Sequence, residues 1–216
     1  MVILDESEPA NPNANLTAED LKALEQFEEG RNLLLLGDID SALAARLMLR
    51  MLLLDYQDPL AAITLYINSG GGDVQAGLQI IDTMSFIHAP VRTICVGIAA
   101  SMASVILAAG EKGKREIFPH AQVMVHQPLV VAQNGFISKQ SDLEAESERL
   151  KKKREMLEGI YVEHCPEALK AGDPFKKIPP HDAGYYHHLC QEDHYMSAEE
   201  AFEAGLVDKI ITTSLK

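Results

Sequence analysis

The fold is decided by a stretch that reads Val91-Arg92-Thr93-Ile94-Cys95-Val96-Gly97-Ile98-Ala99-Ala100-Ser101-Met102-Ala103-Ser104. Its first six residues are typical of a strand, and the small and apolar residues after Ser101 continue as far as Ala109. The pattern predicts a strand, a tight turn from Gly97 and a buried helix. Ser101 then lies in the first turn of this helix, and Gly110 ends it.

A second short strand follows, with the sequence Gln122-Val123-Met124-Val125-His126. A serine at a helix N-terminus and a histidine at a strand end can meet in space as nucleophile and base. The helix N-terminus also presents free N–H groups to a developing oxyanion. A simpler interpretation makes Ser101 an ordinary helix cap and His126 a strand-end residue. The sequence around Ser101 contains no Gly-x-Ser-x-Gly motif.

A glycine-rich segment precedes this stretch. The strand-like run Ile63-Thr64-Leu65-Tyr66-Ile67 leads into Asn68-Ser69-Gly70-Gly71-Gly72-Asp73. Three glycines directly after a strand allow backbone N–H groups to approach a ligand closely. The alternatives are a plain tight turn and a phosphate-binding loop, and the second is disfavoured because no Gly-Lys-Ser/Thr follows.

Several ordered blocks carry a family resemblance over roughly residues 32–211. They are Tyr66-Ile67-Asn68-Ser69-x-Gly71-Gly72, Gly77 with Asp82-Thr83-Met84, Thr93-Ile94-Cys95-Val96-Gly97-x-Ala99-Ala100-Ser101-Met102-Ala103, Met124-Val125-His126-Gln127-Pro128-Leu129 and Met196-Ser197-Ala198-Glu199-Glu200-Ala201. Together they resemble the proteolytic subunit of the Clp protease, ClpP.

The resemblance implies an α/β fold of the ClpP/crotonase type, built of ββα units with a protruding handle helix. It also implies that Ser101 is the nucleophile and His126 the base, and that the N–H groups of Gly72 and Met102 form the oxyanion hole. The substrate strand is expected beside Gly71, Leu129 and Val130. The family has two glycines where this chain has Val130-Val131, so a glycine-dependent bend is in doubt, although β-branched residues suit a strand.

Composition bounds the class of protein. The chain has 216 residues, 47% of them hydrophobic, which suits one domain with a sizeable core. Its 32 acidic and 19 basic residues give a charge of −13, which argues against a nucleic-acid binder and a basic membrane-surface module. The three cysteines favour a reducing compartment over a disulfide scaffold, and a cytoplasmic location is expected, in a bacterial cytosol or an organelle-like compartment. No signal peptide or membrane-spanning run is expected.

The chain is predicted to consist of a mobile arm over 1–16 and a single domain from residue 17 to 216. Helices are expected over 18–29, 41–54 and 74–87, with a short buried strand at Leu33-Leu34-Leu35-Leu36. The helix over 41–54 is apolar nearly all round except for Arg46 and Arg50. Such a helix is expected to be covered by the core or by neighbouring subunits, with the two arginines on an ion-pair edge.

A long charged helix is predicted over 141–162, and the resemblance makes it the handle helix. An apolar stripe with near-heptad spacing runs along it, formed by Leu143, Leu150, Leu157 and Tyr161. The basic run Lys151-Lys152-Lys153-Arg154 is interpreted as a solvated face balanced by neighbouring glutamates. Near the C-terminus, Ser197 and Glu200 form a capping box, and Gly205 ends the helix that follows.

The third catalytic residue is not evident, because an insert over about 172–188 replaces the expected sequence. Counting back without a gap from Met196 places Leu189 in the position of the family aspartate. Asp182 is the best candidate to contact His126, because it follows the rigid Pro179-Pro180 pair; Asp173 is another. Asp193 is interpreted as a structural acid. The prolines predict an irregular loop, held by buried tyrosines at 185 and 186.

Histidines in the same region raise the question of a metal site. His187, Cys190 and His194 would share one face of a helix. No compact second pair of ligands accompanies them, so a loop with incidental histidines is preferred, and neither a metal nor another cofactor is expected.

The sequence therefore predicts a serine endopeptidase that degrades unfolded polypeptides. The resemblance implies heptameric rings, stacked in pairs, and an ATP-consuming AAA+ partner of the ClpX, ClpA or ClpC type. An alternative is a non-catalytic structural subunit in a mixed ring with a second ClpP-like paralogue. A crotonase-type acyl-CoA enzyme is disfavoured by the Ser101/His126 pair.

Overall fold

The computed structural model describes residues 17–129, 140–165 and 183–211. The arm predicted over 1–16 and most of the insert lie outside these residues. The described helices are α1 Ala18–Glu29, α2 Ser41–Gln57, α3 Val74–Phe86, α4 Met102–Ala108, α5 Gln140–His164, α6 Ala183–Leu189 and α7 Ala198–Glu203. The described strands are β1 Asn32–Leu36, β2 Ile63–Ser69, β3 Val91–Ala100, β4 Arg115–Ile117, β5 Gln122–Val125, β6 His194–Met196 and β7 Lys209–Ile210.

A mainly parallel sheet connects these strands in the order β1-β2-β3-β4-β7, and β5 joins it at β3. The first half of β3 pairs with β4 through Thr93–Cys95, whereas its second half pairs with β5 through Ile98–Ala100. β6 pairs antiparallel with β5. The sheet therefore branches along β3, and its β5–β6 arm lies beside the end of β3. The predicted α/β fold is confirmed, and its sheet is mainly parallel.

The tight turn predicted from Gly97 is wrong, because β3 continues through this glycine to Ala100. Gly97 lies where β3 changes neighbours, and a Cβ there would come within 2.5 Å of Asn68 Oδ1. The same oxygen accepts a hydrogen bond from the N–H of Ile98 at 3.1 Å. Glycine at this position thus permits a close approach of the Asn68 side chain and does not bend the chain.

Helices α2, α3 and α4 cover the sheet. Asp40 and Asp73 cap α2 and α3 by accepting hydrogen bonds from Leu43 N and Ala76 N. All seven residues of α4 are buried, as expected of a helix with small and apolar residues on every side. The outer side of α2 differs from this pattern, since the single chain leaves Leu49, Leu53 and Tyr56 exposed.

The long helix predicted over 141–162 extends from Gln140 to His164. Its apolar stripe is buried only at the base, where Leu157 and Tyr161 enter the core. Leu143, near the other end, is exposed. The helix therefore packs on α4 at one end and projects at the other.

The C-terminal segment closes the fold. The capping box of Ser197 and Glu200 is confirmed, and Gly205 has a φ of 72° after the helix. Asp208 forms a hydrogen bond to each side of the Arg115 guanidinium, at 2.9 Å to Nε and 2.6 Å to Nη2. This pair, in which Arg115 is buried and Asp208 is partly exposed, attaches β7 to β4.

Candidate active site

Ser101 lies at the sharp turn between β3 and α4. Its backbone has φ 54° and ψ −125°, a combination that costs a residue with a side chain roughly 1–3 kcal/mol and is concentrated at functional sites. Its side chain makes no capping hydrogen bond to the helix, so the interpretation of Ser101 as a plain cap is wrong. The turn instead presents the hydroxyl group outside the helix.

His126 lies within hydrogen-bond distance of this hydroxyl group. It follows β5 directly, and its Nε2 lies 2.8 Å from Ser101 Oγ. The pairing of β5 with the end of β3 brings the two residues together, and Ser101 N donates to Met124 O at 2.9 Å to fix the register. The imidazole side chain is only 11% exposed. A serine hydroxyl hydrogen-bonded to a shielded imidazole is the arrangement that a nucleophile and its general base require.

A carboxylate lies on the other side of the imidazole. Asp193 Oδ1 is 3.3 Å from His126 Nδ1, which is an ion-pair distance. The groups are not aligned for a hydrogen bond, and among the described residues Nδ1 has no hydrogen-bond partner; such bonds are often loose before substrate binds. Asp193 was interpreted as a structural acid, and its position beside His126 corrects that interpretation.

The register of β5 and β6 explains this position. Val125 pairs with His194 across the antiparallel ladder, so the next residue on one strand faces the preceding residue on the other. His126 and Asp193 are these two residues. Sequence reasoning assigned the position to Leu189, which lies in α6 and is buried. The sequence does show a short alternating strand before the capping box, which could have indicated β6. It does not show the register of this strand against β5.

The insert is described only from Ala183 onward, so Asp182 and Asp173 lie outside the described residues. The part that is described corrects the prediction of an irregular loop, since Ala183–Leu189 is a helix. Tyr185 and Tyr186 are buried, as predicted. Tyr186 stacks on Tyr161 of α5 with ring centroids 5.3 Å apart, which attaches α6 to the base of the long helix.

The glycine-rich segment over residues 68–73, called the glycine loop from here on, lies against the Ser101 turn. A Cβ at Gly71 would come within 2.7 Å of Ser101 Cβ and 2.8 Å of Ala100 O. Ile39 N donates to Gly71 O, and Asp73 N donates to Ile39 O, both at 2.8 Å. This parallel bridge uses the atoms on either side of Gly72 and leaves its own N–H directed away from Ile39.

A cavity of about 310 Å³ adjoins Ser101 and His126. Its walls include both proposed oxyanion residues, Gly72 and Met102. Its other apolar lining residues are Val74, Val105, Pro128, Leu129, Leu157, Tyr161 and Cys190. Leu129 is 71% exposed at the edge of this cavity, and Val130 lies outside the described residues. The cavity can accept one large, mainly apolar side chain.

Arg154 of α5 lines the cavity and forms three hydrogen bonds around it. Arg154 donates to Glu158 Oε1 at 2.7 Å and to Gln127 Oε1 at 3.3 Å. It also donates to the carbonyl oxygen of His187 at 3.1 Å. Arg154 therefore does not belong to a solvated basic face, which corrects that part of the prediction. It joins α5 to α6 and to the residue after His126.

Burial keeps two further ionisable groups of the cavity, Cys190 and Tyr161, neutral. It raises the pKa of the Cys190 thiol to about 12 and the pKa of Tyr161 well above its ordinary value. A thiol with so high a pKa has almost no thiolate at neutral pH and is a poor nucleophile. Among the groups lining the cavity, the Ser101–His126 pair is thus the one arranged for nucleophilic attack.

The histidines of the insert region do not form a metal site in the part of the chain that is described, where no group of three or more possible ligands occurs. His187 Nδ1 instead lies 3.2 Å from Glu158 Oε1. Among the described helices, none combines the length and apolar content needed to cross a bilayer.

The comparison with protein families agrees with this geometry. The family model described as Clp protease matches residues 17–214. The match includes the glycine loop, the Ser101 turn, His126, the long helix and Asp193. The chain therefore belongs to the Clp protease family.

Proposed function

We propose that this protein is a serine endopeptidase, the proteolytic subunit of an ATP-dependent Clp protease. Family membership supports a ClpP-like peptidase. The observation that carries serine-type catalysis is the 2.8 Å contact between Ser101 Oγ and His126 Nε2. The alternative of a non-catalytic subunit was motivated by the missing aspartate and by Val130-Val131; the 3.3 Å contact of Asp193 with His126 weighs against the first of these motives.

The reaction follows from these positions. Ser101 Oγ attacks the peptide carbonyl carbon while His126 Nε2 accepts its proton, and the N–H groups of Gly72 and Met102 bind the resulting oxyanion. The C–N bond breaks as His126 returns the proton to the leaving amine. Water then attacks the acyl-enzyme with the same base. Asp193 stabilises the imidazolium during both steps, and hydrolysis requires no cofactor.

The substrate is proposed to be an unfolded polypeptide. An extended chain would lie between the loop at Gly71 and the segment of Leu129 and Val130, with one side chain in the 310 Å³ cavity. A folded protein cannot present such a strand, so a AAA+ ATPase of the ClpX, ClpA or ClpC type would unfold it and consume the ATP. Membership of the family implies rings and Clp ATPase partners in general terms.

Assembly is proposed to be a heptameric ring, stacked on a second ring and formed by this chain alone or with a ClpP-like paralogue. Large apolar side chains exposed on the single chain support self-association: Leu49, Leu53, Tyr56, Leu60 and Phe86. The protein is proposed to act in the cytoplasm, where its cysteines would stay reduced. Light scattering that shows a stable monomer at micromolar concentration would contradict this assembly.

Labelling with a fluorophosphonate tests the activity. We expect the intact assembly to react at Ser101, and Ser101→Ala to abolish both labelling and hydrolysis of a fluorogenic peptide. Ser85→Ala, which removes an exposed hydroxyl from α3, is the matched control and should change neither. An unlabelled wild-type assembly that becomes active only when mixed with a paralogue would instead support the structural-subunit alternative.

A further inference from the structure

A chain of buried hydroxyl groups connects α5 with the backbone of Ser101. Ser104 Oγ donates to the carbonyl oxygen of Ser101 at 2.6 Å. The same Oγ lies 2.8 Å from the hydroxyl of Tyr161. Ser104 is fully buried, and Tyr161 is 3% exposed. The proposed mechanism makes no use of either side chain.

The direction of these hydrogen bonds is determined. A serine hydroxyl has one proton, and Ser104 donates it to Ser101 O, so Tyr161 must be the donor to Ser104 Oγ. Burial raises the pKa of Tyr161 well above its ordinary value, and the phenol therefore retains this proton at any physiological pH. Donation by Tyr161 also polarises the Ser104 hydroxyl and strengthens its bond to Ser101.

The Ser101 carbonyl belongs to the same peptide group as the N–H of Met102, so its direction determines the direction of that N–H. A trans peptide is planar, with its C=O and N–H pointing in opposite directions. Fixing Ser101 O toward Ser104 therefore fixes the N–H of Met102 toward the opposite side. Met102 is the first residue of α4, so its N–H has no acceptor within the helix, and Met102 lines the cavity beside Ser101.

We infer that Ser104 and Tyr161 are positioning residues that orient the Met102 N–H toward the oxyanion. The strained conformation of Ser101, with φ 54°, is one that its own sequence does not favour, and the two hydroxyls help to maintain it together with Ser104 N, which donates to the same carbonyl at 3.0 Å. Through Tyr161, the base of α5 determines how well the oxyanion is bound. This inference rests on the proposed serine peptidase function.

Tyr161→Phe and Ser104→Ala test the inference in the full-length assembly. We expect each to lower kcat for a fluorogenic peptide roughly 10-fold, less than the 10²–10³ that follows loss of a whole oxyanion donor. KM should not change, and the pH profile of kcat/KM should keep its shape because His126 is untouched. The rate of fluorophosphonate labelling should fall in parallel, since the phosphoryl oxygen occupies the same site.

The double variant Ser104→Ala/Tyr161→Phe should be no slower than the single variants, because both residues act through one carbonyl. Tyr186→Phe is the matched control. It also removes a buried hydroxyl from the same tyrosine stack, but that hydroxyl donates to Cys165 O at 3.3 Å and has no link to Ser101. It should lower the melting temperature like Tyr161→Phe and leave kcat unchanged.

The outcomes separate this inference from the proposed function. A wild-type assembly that is labelled and active, with unchanged kcat in both Tyr161→Phe and Ser104→Ala, would overturn the inference alone. Equal losses of kcat in Tyr161→Phe and Tyr186→Phe would also overturn it, since they would show a general packing effect. Absence of labelling at Ser101 in the wild type would overturn the proposed function and the inference with it.

Discussion

His126 Nδ1 lies 3.3 Å from Asp193 Oδ1, and the antiparallel register of β5 and β6 is the cause of this proximity. A carboxylate there selects the histidine tautomer that can accept a proton from serine. We expect Asp193→Asn to lower kcat for a small peptide by about 10⁴-fold while the assembly remains intact. Steady-state peptide hydrolysis and light scattering measure the two properties.

Asp182→Asn is the comparison for this experiment, because sequence reasoning favours Asp182 as the partner of His126. We expect it to retain most of the activity. A larger loss with Asp182→Asn than with Asp193→Asn would contradict the prediction and assign the role to residue 182.

The glycine loop provides a second prediction. Gly71→Ala would place a Cβ 2.7 Å from Ser101 Cβ at a φ of +102°, so the Ser101 turn must move. We expect the rate of fluorophosphonate labelling to fall by roughly 10²-fold, the effect of displacing a reacting group by about 1 Å. Gly70→Ala is the neighbouring control, since a Cβ there has no atom within 4 Å. Equal rates for the two variants would contradict the proposed geometry.

The ion pair between buried Arg115 and partly exposed Asp208 predicts how stability depends on pH. Burial raises the pKa of Asp208, but hydrogen bonds from Arg115 outweigh it and lower the pKa below its ordinary 3.8. Since the pKa is lower in the folded state, the carboxylate contributes its full stabilisation above about pH 4. The stabilisation is lost as the pH falls through the folded-state value.

We therefore expect Asp208→Asn to lower the free energy of unfolding by about 3 kcal/mol at pH 7 and to reduce its dependence on pH in acid. Urea denaturation at several pH values measures both effects. Glu116→Gln removes the more exposed ion pair with Arg92, whose side chain is 36% exposed, and should cost less than about 1 kcal/mol. Similar effects from the two variants would contradict the assigned role of Asp208.

The thiols provide a prediction about chemical reactivity. Burial raises the pKa values of Cys95 and Cys190 to about 12, so only about one thiol in 10⁴ is ionised at pH 8. We expect iodoacetamide to leave both unmodified in the native assembly and to alkylate them in guanidinium, as detected by mass spectrometry. Rapid native alkylation of Cys190 would show that the cavity exposes a reactive thiol.

Much of the fold could be predicted from the sequence because its signals are local. The capping box at Ser197 depends on a spacing of three residues, and the apolar run after Ser101 indicates a buried helix wherever it lies. The strand through Gly97 was missed because glycine usually marks a turn. Here a contact with Asn68, which is distant in sequence, determines its role.

The residues of the candidate site likewise include some that local sequence motifs predict and some that depend on contacts distant in sequence. Ser101 and His126 could be proposed because the motifs around them are continuous in sequence. Asp193 could not, because its position depends on the pairing register of two short strands, and the insert before it shifts the residue count from the expected position of the aspartate. The positions of Arg154 and Tyr161 depend on how the base of α5 packs, and their own helix does not distinguish them from neighbouring residues.

The antiparallel arm formed by β5 and β6 also determines when the site is completed during biosynthesis. The ribosome delivers the glycine loop, Ser101 and His126 well before Asp193, which follows His126 by 67 residues. A nascent chain can thus pair strands β1 through β5 while the imidazole has no Asp193 carboxylate beside it. Only after β6 is released and pairs with β5 are the three side chains present together, so a chain truncated before β6 is expected to be a poor peptidase.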